Sequence, residues 1–166
     1  MENDNLPDLG ARKLLARSLA RKLIKNAGVV TAPVSLQKII EHLQIERSVK
    51  VYKIPLGEAV SGLLVVCKSV DDEYASIAFN ENHPWCRRRF TLAHEIGHFL
   101  LGHACSGSGF GLHNEKEANV FASELLMPAS MIKVDYKKIQ NLTELCKIYR
   151  VSKEAMTIRI MESHLI

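Results

Sequence analysis

A chain of 166 residues, 47% hydrophobic and with a net charge of +4, is long enough to bury a sizeable core and short enough to hold a single domain over residues 1–166. No window approaches the length of a membrane span, the start Met1-Glu2-Asn3-Asp4-Asn5 has neither a basic nor an apolar region, and Cys67, Cys86, Cys105 and Cys146 show no CxxC spacing. The composition therefore argues against a membrane protein, a disulfide scaffold and a cysteine-based zinc knuckle, and predicts a cytoplasmic protein with free thiols.

In residues 11–27, Ala11, Leu15, Leu19, Leu23 and Ala27 recur every four positions beside Arg12, Lys13, Arg17, Arg21, Lys22 and Lys25. This pattern predicts an amphipathic helix whose basic face is solvated, with a weak anionic contact as the lesser reading. A second helix is expected over 34–43, with Pro33 near its start and Val34, Ile39, Ile40 and Leu43 turned to the core. Three β-rich stretches follow at 49–54, 63–67 and 74–80, punctuated by Pro55, Gly57, Gly62 and Asp71-Asp72. An edge position for 74–80 would let an extended peptide pair with it; an ordinary paired strand is the competing expectation. Asn82-His83-Pro84 then breaks the chain, and Arg87-Arg88-Arg89 leads into the next helix, where it would anchor acidic groups of the chain or orient a substrate.

That helix contains HExxH: His94-Glu95-Ile96-Gly97-His98. Positions i and i+4 share a helix face, so His94 and His98 can offer imidazole nitrogens to one metal ion, with Glu95 beside it. Phe90, Ala93, Gly97, Leu100 and Leu101 flank the pair with an apolar stripe, and Gly97 is small enough to admit another element. Two histidines leave room on zinc for a third protein ligand and an open position, which implies metal-assisted hydrolysis of a peptide bond with Glu95 as general base. Manganese or iron would also accept such donors, with zinc the first expectation. The Gly/Ser-rich stretch 105–111 reads as a connector or lid, and a Cys105 thiol blocking the metal is a minor alternative. His103, His113 and Tyr136 are polar residues near these elements to which no role is assigned.

The third ligand is sought downstream, where a helix is predicted from Asn114 to a stop before Pro128. Glu117, three residues after Asn114, has a structural role available as the far half of a capping box. Glu115 has none and is the favoured ligand, with Glu124 a distant third. Asn119, four residues after Glu115, is placed to hydrogen-bond a ligating group from outside. At the C-terminal end, residues 142–160 form two short helices joined at Arg150-Val151, with Ser152 as N-cap. This pair is helix-turn-helix-like, with Lys153, Thr157 and Arg159 as the side chains for DNA bases. Leu142, Leu145, Ile148, Val151, Ala155, Ile158 and Ile160 supply a core face, so packing takes precedence over DNA binding.

HEIGHFLLGH followed by EKEANVFASELLMP resembles the ImmA/IrrE family of gluzincin-like zinc metallopeptidases, as do the APVSLQKIIEHLQI segment, the SGLLVV strand and the lead-in to HExxH. The resemblance implies His94, His98 and Glu115 as zinc ligands and Glu95 as the catalytic carboxylate, in agreement with the spacing. It also implies a helical C-terminal region, about 129–166, and a protein substrate of the helix-turn-helix repressor or antitoxin-like kind, whose cleavage would regulate transcription. The expected architecture is α+β: a small antiparallel or mixed sheet packed on a helical zincin-like core. Two alternatives compete with this endopeptidase: a non-catalytic DNA-binding regulator with a structural metal site, and a module that binds a repressor without cutting it. A purely structural site would have no need of Glu95.

Overall fold

The computed structural model describes residues 9–68, 73–103 and 111–165. Among them the order is α1 (Leu9–Asn26), α2 (Leu36–Glu46), β1 (Ser48–Ile54), β2 (Gly62–Lys68), β3 (Glu73–Asn80), α3 (Trp85–Leu100), α4 (Leu112–Leu126), α5 (Ala129–Ile139), α6 (Leu142–Tyr149) and α7 (Lys153–Glu162). The fold is α+β, as expected, and the sheet is mixed: β3 runs parallel to β1 and antiparallel to β2. None of these helices is long and apolar enough to cross a membrane.

The strand order β1-β3-β2 puts residues 74–80 in the centre of the sheet. Ile77 is matched to Val51 on one side and Leu64 on the other, so the expected edge role for this strand does not hold. Its residues Ala75, Ile77, Ala78 and Asn80 are buried, and a strand covered this way is stabilised by pairing on both sides. The edge beside α3 is β2 instead.

Helix α3 is the hub of the described structure. Leu92, Ala93, Ile96 and Phe99 bury one side, and the helix packs against β2, β3 and α4. Gly97 makes the α4 contact close: a Cβ there would lie 2.9 Å from Phe121 Cδ1. Helix α1 lies along the other side of α4 and buries Ala16, Ala20, Leu23 and Ile24; of the predicted stripe, Leu23 is buried and Leu19 and Ala27 pack against the core, so the buried face is shifted toward Ala16 and Ala20. Leu15 is 45% exposed, and the Ala11 side chain lies outside the described residues. The small-residue seam lets flanking arginines reach across, so the basic face is not simply solvated. Arg12 pairs with Glu117 at 2.7 Å, Arg21 with Glu124 at 2.8 Å and Arg17 with Glu162 at 3.8 Å.

The C-terminal helices follow the sequence closely. Ser152 caps α7 by accepting from Ala155 N at 3.1 Å, and Leu145, Val151 and Ile160 are buried. Arg159, one of the three side chains considered for DNA, is only 3% exposed. It donates to Met127 O at 2.8 Å and to Glu124, because α7 crosses the end of α4, where a buried carboxylate requires a cation. Arg159 therefore leaves the set that could reach bases. Two of the three arginines before HExxH do not take the first of the two expected roles, the anchoring of acidic groups. They bond neutral oxygens rather than acidic groups: Arg87 donates to Ser61 Oγ at 2.8 Å and Arg89 to Val34 O at 3.0 Å. Arg89 and Arg150 both lie over the Trp85 ring, tying the start of α3 to the α6–α7 turn.

Candidate metal centre

Three side chains converge where α3 passes the first turn of α4. One ligand atom from each of His94, His98 and Glu115 lies within 4.8 Å of the others. The two Nε2 atoms are 2.9 Å apart, His94 Nε2 is 3.3 Å from Glu115 Oε2, and His98 Nε2 is 3.4 Å from Glu115 Oε1. The one-turn spacing on α3 brings the imidazoles together, and the close approach at Gly97 brings Glu115 to them. Asn119, one turn further along α4, meets His94 Nδ1 through Oδ1 at 3.0 Å. A carbonyl oxygen only accepts, so His94 donates from Nδ1 and presents its Nε2 lone pair to the cluster.

Electrostatics favour neutral rings here. Burial pushes His94 below the ordinary histidine value against the opposing pull of Glu115 and Asn119. His98 falls further, to about 3, through burial and then the neighbouring His94 and His103. Neutral imidazole is the form that ligates a metal. Two such nitrogens and a carboxylate suit zinc with one position left open, so the donor chemistry fits.

Glu95 faces the same cleft from α3. Burial, aided by the Glu115 charge, pushes its carboxyl up to about 7, and its buried Oε2 has no hydrogen-bond partner among the described residues. Its position depends on the start of β2: a Cβ on Gly62 would come within 2.5 Å of Thr91 Cγ2 and 2.8 Å of Glu95 Oε1. The segment before Gly62 is stitched down by Asn80, whose Nδ2 donates to Leu56 O, Gly57 O and Val60 O at 3.1, 3.2 and 2.9 Å. His83 Nε2 adds a 3.1 Å bond to Glu58 O. The sequence reading missed the roles of Asn80, His83 and Gly62 here; its nearest signal was the Asn, His and Gly punctuation around the strands.

The other predicted residues separate. Helix α4 starts at Leu112 with Gly111 as N-cap, so Asn114 lies inside it and Glu117 is not the far half of a capping box. Glu117 instead turns away from the cluster, accepting from Arg12 Nε at 2.7 Å and meeting His103 Nε2 at 3.0 Å. Glu124 sits between Arg21 and Arg159, far along α4. His103 is buried behind His98, His113 is exposed and Tyr136 packs against the core. Cys105 and most of the Gly/Ser-rich stretch lie outside the described residues; Cys67, Cys86 and Cys146 are free.

The cleft over the cluster is bounded by residues 59–64, by Phe90 and Thr91, and by Asn119. A family model, the IrrE N-terminal-like domain of Peptidase_M78, matches residues 46–161. The chain belongs to the ImmA/IrrE family. Comparison with the curated proteins finds none that matches it. Membership makes this a metallopeptidase-type enzyme acting on a protein substrate, and among the described residues of this ImmA/IrrE chain the His94, His98 and Glu115 cluster is where a metal could be held. A second groove shares Arg87, Phe90 and Asn119 with the cleft and continues past Val120, Met127 and Ile158.

Proposed function

We propose that the protein is a zinc-dependent endopeptidase of one domain, with His94, His98 and Glu115 holding the metal and Glu95 acting as general base. The observation that carries this reading is the convergence of two neutral imidazoles and a carboxylate beside a buried Glu95 oxygen that has no partner among the described residues. A bound zinc ion supplies the Lewis acidity that polarises a peptide carbonyl and acidifies water. Glu95 Oε2 takes the proton from the attacking water and returns it to the leaving amine. Asn119 holds the His94 ring in the tautomer that leaves Nε2 free. The start of β2, an edge strand that borders the cleft, offers backbone groups to an extended substrate, and the adjoining groove takes its apolar side chains.

By family resemblance the substrate is a helix-turn-helix repressor or antitoxin-like regulator in the cytoplasm, and its cleavage changes transcription. Burial of Arg159 weighs against the DNA-binding alternative, and the placement of Glu95 against a purely structural metal. The test is Glu95→Gln, assayed for cleavage of a candidate repressor alongside metal analysis. Turnover is expected to fall by about 10²- to 10⁴-fold while one zinc per chain is kept. A variant that still cuts at the parent rate overturns the mechanism.

A further inference from the structure

Behind the cluster, His98 is fully buried and its second ring nitrogen, Nδ1, lies 2.8 Å from His103 Nδ1. His103 Nε2 is in turn 3.0 Å from Glu117 Oε2, and Glu117 Oε1 accepts from Arg12 Nε at 2.7 Å. A local turn builds this row of groups. Gly102 takes φ +68°, Gly102 N bonds Phe99 O at 3.1 Å and His103 N bonds His98 O at 3.0 Å, the paired bonds of a Schellman stop. The chain thereby folds back, and residue 103 meets the residue five positions before it.

The protons along this row follow from its two ends. Glu117 Oε1 accepts from the Arg12 guanidinium at 2.7 Å, a charge-assisted pair that an ionised carboxylate makes. An ionised carboxylate only accepts, so His103 carries its proton on Nε2. A ligating His98 keeps Nε2 free of a proton on the side of His94 and Glu115, so the proton in the 2.8 Å contact between the two Nδ1 atoms belongs to His98 and His103 Nδ1 accepts it.

We infer that Arg12, Glu117 and His103 form a positioning chain that sets the tautomer and orientation of His98 and strengthens it as a metal ligand. The inference rests on His98 being a ligand, as proposed above. Its distinctive feature is reach: Arg12 belongs to α1, outside residues 46–161 matched by the family model, so the N-terminal helix helps to build the metal centre. Glu117, a rival ligand in the sequence reading, acts two groups away from the metal instead.

The test uses the full chain and zinc alone. In competition with a chromophoric chelator, His103→Phe and Glu117→Gln are expected to bind zinc about 10- to 100-fold more weakly than the parent, and Arg12→Gln to show a smaller loss in the same direction. In the metal-free parent, imidazole ¹⁵N shifts should show His98 protonated at Nδ1 and His103 at Nε2, and His103→Phe should redistribute the His98 proton. A merely structural role would not move that signature. Zinc affinities within about twofold of the parent, in variants that keep the parental melting temperature, would overturn the inference. So would a His98 proton on Nε2 in the parent. If His103→Phe fails to fold, the other two variants and the parental spectrum decide. A parent that takes up no zinc defeats the metal-site reading, and the nitrogen spectrum still tests the chain of hydrogen bonds.

Discussion

The two ends of α4 hold glutamates in opposite circumstances. Near its start, the Glu115 side chain is 41% exposed and faces two neutral imidazoles. Near its end, Glu124 is sealed from solvent, accepting from Arg21 Nε at 2.8 Å and from Ala129 N at 3.3 Å, with Arg159 on its other oxygen. A buried carboxylate already matched by two guanidinium groups is a fastening between α1, α4 and α7. A carboxylate set against lone pairs lacks that compensation, and a cation bound between the three groups would supply it. Burial by itself is therefore a poor guide to function on this helix; the charge of the facing groups is the better one.

The largest expected effect that separates the two ends is on stability. Arg159→Met leaves Glu124 short of a cation in a buried site and is expected to cost about 3–5 kcal/mol in chemical unfolding, with zinc stoichiometry unchanged. A loss below about 1 kcal/mol would remove the distinction drawn here. Next comes Gly62→Ala, whose added methyl displaces Thr91 and Glu95. A drop of about 10- to 100-fold in kcat at unchanged zinc content is the expected outcome, because small misplacements of a reacting group are expensive.

The pH dependence of stability sharpens the contrast further. Burial alone would raise the Glu124 carboxyl, but Arg21 and Arg159 outweigh it and hold the folded-state value below the ordinary one. A depressed folded value means that the contribution is complete above the usual carboxylate range and is lost as pH falls through the folded value. Unfolding curves measured across acidic pH should therefore flatten in Glu124→Gln relative to the parent; an unchanged slope would assign the acid sensitivity elsewhere. The smallest stability effect belongs to Glu115→Ala. Metal-free protein should stay within about 1 kcal/mol of the parent while zinc binding is lost, as metal analysis and thermal unfolding together would read.

Local patterns carried well into the structure where one element determined the outcome. The strands predicted at 49–54, 63–67 and 74–80 are β1, β2 and β3 with ends moved by a residue or so, because β-branched runs between turn residues need no distant partner to be recognised. Ser152 caps α7 as its sequence position indicates. HExxH placed two imidazoles and a carboxylate along one helix for the same reason, and Asn119 reached His94 because it sits one turn from Glu115. Less legible was everything set by neighbours. The α1 face turned toward Ala16 and Ala20 because α4 lay close, and its arginines found carboxylates more than 100 positions away.

The sequence by itself determined the element types, the ImmA/IrrE resemblance and the spacing of a two-histidine motif, since these depend on periodicities of a few residues. Only the tertiary structure decided which strand is the edge, which arginines are buried and what surrounds each carboxylate of α4. Glu115, Glu117 and Glu124 lie within one helix and read almost alike as letters. Their different surroundings arise because α3, α1 and α7 meet that helix at different turns, and the electrostatic environment of a carboxylate is a sum over neighbours that chain order does not encode.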